Sequence, residues 1–437
     1  MQERRVNMSF ADNLPDDKRR HYRHIAVVSA MFSGFASQII ENNAPIVLLL
    51  SMLNASDSLS MFSSSLSGIA NVLLLIPGAS FCAFLGLRRT YTLSSLLGFI
   101  AFFTIAAAPY AGKYAGHTVI CGCFLFGLSV TIYQSTWYPL LDNILKSDER
   151  SGFFASMRFI YMIFIALILY GLGKFLQSKP EIWLLQCVFA AAGLALWGRK
   201  FCMDALPIAP DMQHESPDLR KSLSICLHNQ SLTGYSLYLC FFYMFYAAAI
   251  PLALIYMKTV LNISAGTIMI LTSVNIVGKI AGFFMLGKFI KKFSMKVQIT
   301  ATHLLTLLTM LLLLTAIPSA KGLPFIFGVI FFFFGIVYAL VNCIAAVEML
   351  SLARPGNKIM AVSFCMTAIA IGTVVGTLFN TVLIGCGALA ENWQFMGEAM
   401  TKFQLLFGIC AGGMLLTMLF FPLVPAIIGK RDDYYQP

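Results

Sequence analysis

The sequence predicts an all-α polytopic membrane protein whose twelve transmembrane helices form two pseudo-symmetric six-helix bundles. Three observations lead there. The 437 residues are 59% hydrophobic and only 11% charged, with a mean hydropathy of +0.80, whereas a soluble domain carries about 25% charged residues. Uninterrupted apolar runs reach the ~20 residues a helix needs to cross hydrocarbon, and this excludes the alternating pattern of a membrane β-barrel. Short basic turns also recur at a distance of about half the chain: Arg88 and Lys291 are 203 residues apart, and Arg150 and Lys358 are 208 apart.

Apolar runs bounded by charged or Pro/Gly-rich breaks lie at about 25–50, 61–85, 90–110, 117–141, 151–174, 182–203, 232–257, 266–287, 297–317, 323–347, 359–386 and 403–428. Residues 1–24 are too long and too acidic a prelude for a cleaved signal peptide and read as a cytoplasmic tail. The predicted organisation is a tail at 1–24, a six-helix bundle at 25–203, a central loop at 204–231, a second bundle at 232–428 and a tail at 429–437. Lys and Arg alternate in density from loop to loop. With Arg199 and Lys200 counted in the central loop, 22 fall on the side of the two tails and six on the other, leaving Arg158 and Lys279 inside spans. That bias puts both termini in the cytoplasm, with a bacterial cell inner membrane as the expected location.

Several function classes drop out. The net charge of +11 marks a membrane face, and no segment resembles a nucleic-acid-reading element, so no nucleic acid partner is expected. The eleven cysteines lie mostly inside apolar runs and read as small core residues, forming neither a disulfide framework nor a metal site. Walker, HExxH and GxSxG patterns do not occur, and neither an ATP-driven pump nor an enzyme is expected. No cofactor or metal is expected either.

The short basic turns carry a family resemblance. The turn after the second span reads Ser80-Phe-Cys-Ala83-Phe-Leu-Gly-Leu-Arg88-Arg89, and that after the eighth reads Gly287-Lys288-Phe-Ile-Lys291-Lys292. Asp148-Glu149-Arg150 followed by Gly152 precedes the fifth span. With twelve spans and a central loop, the chain resembles the major facilitator superfamily of secondary transporters over residues 25–430. That family's signature, Gly-x-Leu-Ala-Asp-Arg-x-Gly-Arg-Arg, is matched at Ala83, Arg88 and Arg89, and its acidic residue is missing. The resemblance implies transport by alternating access, with Arg88, Arg89, Asp148, Arg150, Lys288, Lys291 and Glu348 at the cytoplasmic gate.

A charge inside hydrocarbon costs about 2.5 to 3.5 kcal/mol on the mildest scale, so each one needs a partner or an aqueous cavity. Gln38, Glu41, Asn42 and Pro45 are spaced by three and four residues, along one face of the first span. Pro45 cannot donate to the Glu41 carbonyl. Glu41 then reads either as a proton- or substrate-binding carboxylate or as part of a structural polar patch. Arg158 and Lys279 would favour an anion facing a shared cavity. Their alternatives are snorkelling and inter-helix ion pairs such as Arg158 with Asp142 or Lys279 with Glu348. Asn275 shares the face of Lys279. Tyr133, Gln134, Tyr243, Tyr338 and Asn342 complete the predicted substrate-binding set, the tyrosines offering a ring and one hydroxyl each. Glycine pairs at 278/282 and 372/376 allow close helix approach, which rocking bundles require.

The expected function is secondary active transport of a small organic anion, with the proton as coupling ion through Glu41 and the bilayer as the other partner. A functional monomer is expected. The alternatives are an efflux carrier for amphipathic compounds and a nontransporting receptor or scaffold of the same fold. The charge count makes a topology prediction: tags at residue 3, within 211–216 and at residue 434 report cytoplasm, and one near Ser56 reports the outside. Opposite sides for residues 3 and 434 would overturn the even number of spans.

Overall fold

The computed structural model describes residues 14–421 apart from residues 143, 146–149, 179–180, 209–218, 355–356 and 396. The first run is two helices, α1 (Asp16–Glu41) and α2 (Ala44–Met52), and the second is α3 (Asp57–Ser63) followed by α4 (Leu66–Leu85). Then come α5 (Leu87–Ala107), α6 (Ala115–Asp142), α7 (Arg150–Ser178) and α8 (Ile182–Asp204). A short helix, α9 (Leu219–Leu227), precedes α10 (Gln230–Tyr246) and α11 (Ala249–Thr259). The remaining helices are α12 (Ala265–Lys292), α13 (Met295–Leu314), α14 (Leu323–Leu352), α15 (Lys358–Gly385) and α16 (Lys402–Phe420). An antiparallel hairpin of β1 (Asn392–Phe395) and β2 (Glu398–Thr401) sits before α16, with Asn392 opposite Thr401.

Among the described residues eleven stretches are long and apolar enough to cross a membrane. The longest, Leu87–Gln134, has 48 residues, ~72 Å if straight, against a hydrocarbon core of about 30 Å. It folds back on itself. Gly112 leaves helical geometry at φ 55°, and Ser94 and Ser129 exchange hydroxyl-to-carbonyl hydrogen bonds of 2.9 and 2.7 Å across the antiparallel pair. The expected single first span is divided at Asn42–Asn43, and its helix begins at Asp16 rather than near residue 25.

The repeat is closer than the loops alone suggest. The starts of α3 and α12, α5 and α13, α6 and α14, and α7 and α15 are each separated by 208 residues. Contacts repeat with them. A β-carbon at Gly127 would press on Ser67 and Ala70; one at Gly335, 208 residues later, would collide with Asn275 and Gly278, the equivalents of those residues. The first helices of both halves are interrupted, near Pro45 and near Pro251, because proline withholds the hydrogen bond that would continue the helix.

Contacts between halves pair α7 with α12 and α4 with α15 most extensively, and α2 and α3 add further ones with α11, α12 and α15. Ser58 donates to the Thr381 carbonyl at 3.2 Å, and Gly173 lies against Gly266. Shifting the pair 58 and 381 by 208 gives 266 and 173, so one contact is made twice by pseudo-symmetry. The glycine pairs expected at the rocking interface act elsewhere: Gly278 and Gly282 meet α14, and Gly372 and Gly376 meet α10, all within the second half. Arg199 is a further correction. It is not a loop charge but a residue of α8, 1% exposed.

The Gly335 contact holds α12 against α14. Gly335→Ala is expected to lower the thermal midpoint in detergent, the overpacking costing about 1–3 kcal/mol. Gly78→Ala, with nothing within 4 Å of the new carbon, is expected to leave the midpoint unchanged or slightly raised.

Candidate functional site

The interruption of the first span builds the centre of the site. Asn43 adopts a left-handed conformation, φ 57°, and α2 restarts with Pro45 in its first turn. The Glu41 carbonyl, denied a donor by Pro45, accepts the Asn43 side-chain amide at 3.3 Å. The amide of Gln38 donates to Glu41 Oε2 at 2.8 Å, and that of Asn42 donates to Gln38 Oε1 at 3.1 Å. Gln38 and Asn42 are buried while Glu41 is exposed, so the carboxylate faces open space halfway along a span.

Lys279 reaches this cluster from the other half. It lies in the middle of α12, 4% exposed, and its ammonium donates to Gln38 Oε1 and Asn42 Oδ1, both at 3.0 Å. The Tyr338 ring of α14 faces it at 4.5 Å. The head group therefore neither snorkels nor turns to Glu348. Arg158 of α7 makes the reverse crossing: its guanidinium lies 5.7 Å from the Phe283 ring, close to the Cys343 thiol. Tyr338 is within electrostatic reach of Glu41, Arg158, Tyr161 and Tyr243. Five helices thus bring Gln38, Glu41, Asn42, Arg158, Tyr243, Lys279 and Tyr338 together.

Other predicted residues divide. Asn275 shares the helix face of Lys279 but spends its amide on the Phe331 carbonyl at 2.9 Å, inside the α12–α14 contact. Tyr133 is 8% exposed and stacks on Trp137 within the first half, and Arg199 lies 4.1 Å over its ring. Its neighbour Gln134 is exposed. Gln134 and Asn342 are 208 residues apart and hold equivalent places in the two halves; Asn342 is half-buried and donates to the Tyr338 carbonyl at 2.8 Å. Arg88 and Arg89 are exposed just after Gly86, φ 79°, and Glu348 is buried. Asp148 lies outside the described residues, as do the side chains of Arg150, Lys288 and Lys291.

Sequence reasoning missed Arg199. Its guanidinium donates to Ser94 and Ser95 at 3.1 and 3.0 Å, and nearby Tyr91 donates to Asp204 at 2.6 Å. The adjacent serines in an otherwise apolar run were the available signal.

Repeated helical halves meeting at a buried polar centre define a multi-pass membrane carrier. The pattern of the Major Facilitator Superfamily matches residues 26–377, and the chain belongs to that family. It is a secondary transporter of a small solute, not an enzyme. The solved structures it is similar to include a mutant of the nucleoside transporter NupG, at 12% identity and TM-score 0.71, covering 92% of this chain and all of that one. The xylose transporter XylE from E. coli, in a partially occluded inward-open conformation, gives 13% identity and TM-score 0.70, covering 94% and 98%. A POT family transporter in complex with a thioalcohol-conjugated peptide gives 12% and 0.68, covering 92% and 97%. No curated protein is significantly similar in sequence.

The opposed settings of Tyr133 and Gln134 are open to test. In protein whose native cysteines are replaced, Gln134→Cys is expected to react with a water-soluble thiol reagent severalfold faster than Tyr133→Cys. Equal rates would contradict the assignment of Tyr133 to the bundle core.

Proposed function

We propose that the chain carries a small organic anion together with a proton, by alternating access between two six-helix bundles of twelve spans in all. Both termini would lie in the cytoplasm of a cell whose inner membrane holds the protein as a functional monomer. The observation that carries this reading is the Lys279 ammonium, tied to the amides of the opposite half beside the exposed Glu41 carboxylate. Arg158 and Lys279 together outweigh one carboxylate, and this favours an anion. The guanidinium offers a two-donor fork and the ammonium a mobile point charge. The named cargoes of similar structures differ: a nucleoside for one, xylose for another. They supply the fold and leave the choice of cargo to this charge balance.

The proton would enter through the same balance. Ionised Glu41 competes with an anion for the positive field of Lys279 and holds the Gln38 amide. Protonated, it releases both, so cargo and proton occupy the site together. Gln134 and Asn342 would contribute amides from equivalent positions in the two halves.

Proteoliposome transport of small carboxylates and phosphate tests the reading. Glu41→Gln is expected to abolish accumulation driven by a pH gradient while sparing exchange between equal pools. Arg158→Lys is expected to raise the half-saturation concentration about tenfold, or ~1.4 kcal/mol, through loss of the fork. Near-normal pH-driven accumulation by Glu41→Gln removes the coupling role. Absence of uptake and exchange for every anion, with or without a gradient, removes the anion assignment.

A further inference from the structure

We propose that the Lys279 ammonium stands in for a coupling alkali cation, and that removing it uncovers a sodium site made by Gln38, Asn42 and Glu41. The inference deepens the transport reading of the central cluster and rests on it. Its first support is the character of the partners. The ammonium donates directly to two neutral amide oxygens, each at 3.0 Å, and the nearby carboxylate of Glu41 is joined through the Gln38 amide at 2.8 Å. Two carbonyl-type oxygens, a carboxylate one bond away and an aromatic face at 4.5 Å suit a compact monovalent cation as well as they suit a lysine.

The helix break supplies the second support. α1 ends at Glu41 and its last turn directs the negative end of its dipole at the gap before α2. Interrupted spans are where membrane carriers hold cations; here the Glu41 carbonyl is taken by the Asn43 amide, so the side-chain oxygens of Gln38 and Asn42 are the ones that meet the cation. Here a cation is required by the local field, and the other half provides it on a tether.

A third observation concerns what would remain without the side chain. Gly278, immediately before Lys279, has no room for a β-carbon against the Phe332 backbone, and Gly335 is pressed against Asn275 and Gly278. α12 is therefore seated against α14 and cannot slide inward to fill a vacated space. Truncation of Lys279 leaves Gln38 Oε1 and Asn42 Oδ1 facing a void of their own polarity. The position equivalent to Lys279 in the first half is Asn71, which pairs with Thr131 at 2.7 Å, so the repeat offers no second cation there. The ionisable groups around the cluster are Glu41 on α1, Arg158 and Tyr161 on α7, Tyr243 on α10 and Tyr338 on α14.

A tethered cation cannot dissociate. The halves would then be untied by an anion that takes Lys279 from its amides, and not by loss of an ion to solution, which makes the conformational cycle independent of sodium.

Thermal unfolding of the purified full chain in detergent, without any cargo, reads this directly. NaCl and LiCl are compared with choline chloride at matched ionic strength. The wild type is expected to unfold at one temperature in all three. Lys279→Ala is expected to unfold lower in choline and to regain about 3 °C or more in sodium, and Lys279→Ala combined with Asn42→Leu is expected to lose that gain. Equal midpoints of Lys279→Ala in sodium and choline overturn the proposal. So does a sodium gain that survives Asn42→Leu, or an equal gain in the wild type. Should Lys279→Ala give no folded protein in choline, purification in sodium is expected to recover it, and failure in both salts also overturns the proposal. Because no cargo enters the measurement, its failure leaves the anion assignment to the transport assay, and failure of that assay leaves this result standing.

Discussion

An ammonium group in the middle of a membrane has to be met by partners that are themselves held in place, and the centre of this protein is organised around that demand at Lys279. Leaving it unmet would cost about 2.5–3.5 kcal/mol even by the mildest measure. The partners are Gln38 and Asn42, and they are held because the first span stops between them and Pro45. A continuous helix would carry the same side chains, but its backbone would leave no left-handed Asn43 to turn the chain there. The glycine seat of α12 on α14 fixes the other end of the tie. Helix interruption, close packing and buried charge are one construction.

The rest of the molecule is an internal repeat that is faithful at its periphery and broken at its centre. Packing contacts such as Gly127 with Ser67 and Gly335 with Asn275 recur at the same offset of 208 residues, and so does the crossing contact of Ser58 with Thr381 and of Gly266 with Gly173. Such contacts depend on shape alone, and either copy of a duplicated unit satisfies them. The two central cations do not recur: Lys279 corresponds to Asn71 and Arg158 to Met366. Gln134 and Asn342, by contrast, keep an amide at equivalent positions. Symmetry thus serves packing surfaces, while the two central cations depart from it.

Helices were legible in the sequence because hydrophobic length is a bulk property that no single residue can disguise. Their starts agree with the apolar runs to within a few residues, except where α1 extends into the basic tail as an amphipathic turn. The hairpin at 392–401 and α9 were not legible, being too short to show a period. Within the site, spacing placed Gln38, Glu41 and Asn42 on one face correctly, and it indicated a freed carbonyl at Pro45. It could not show which partner each polar group takes. Asn275 lies one turn from Lys279 yet serves a neighbouring backbone, and Tyr133 and Gln134, consecutive residues ~100° apart around a helix, fall one in the core and one in the open. Arg199 escaped because charge counting by compartment treats any basic residue near a helix end as solvated, whereas two serine hydroxyls and a tyrosine ring supply it with a dry environment.

The two cations of the centre are arranged crosswise. Arg158 belongs to the first half and rests on Phe283 and Cys343 of the second; Lys279 belongs to the second and rests on Gln38 and Asn42 of the first. Each half therefore holds the other by a charge that it does not own. If the halves rock, both attachments loosen together, since neither cation can follow its partners without leaving its own helix. Two charges exposed at once in a low-dielectric centre are unfavourable unless something negative arrives with the motion. An anion bound between them meets that condition, and Glu41 alone, already hydrogen-bonded to Gln38, does not supply a second negative charge. On the anion reading proposed above, the contacts that tie the two halves would also make their separation depend on cargo.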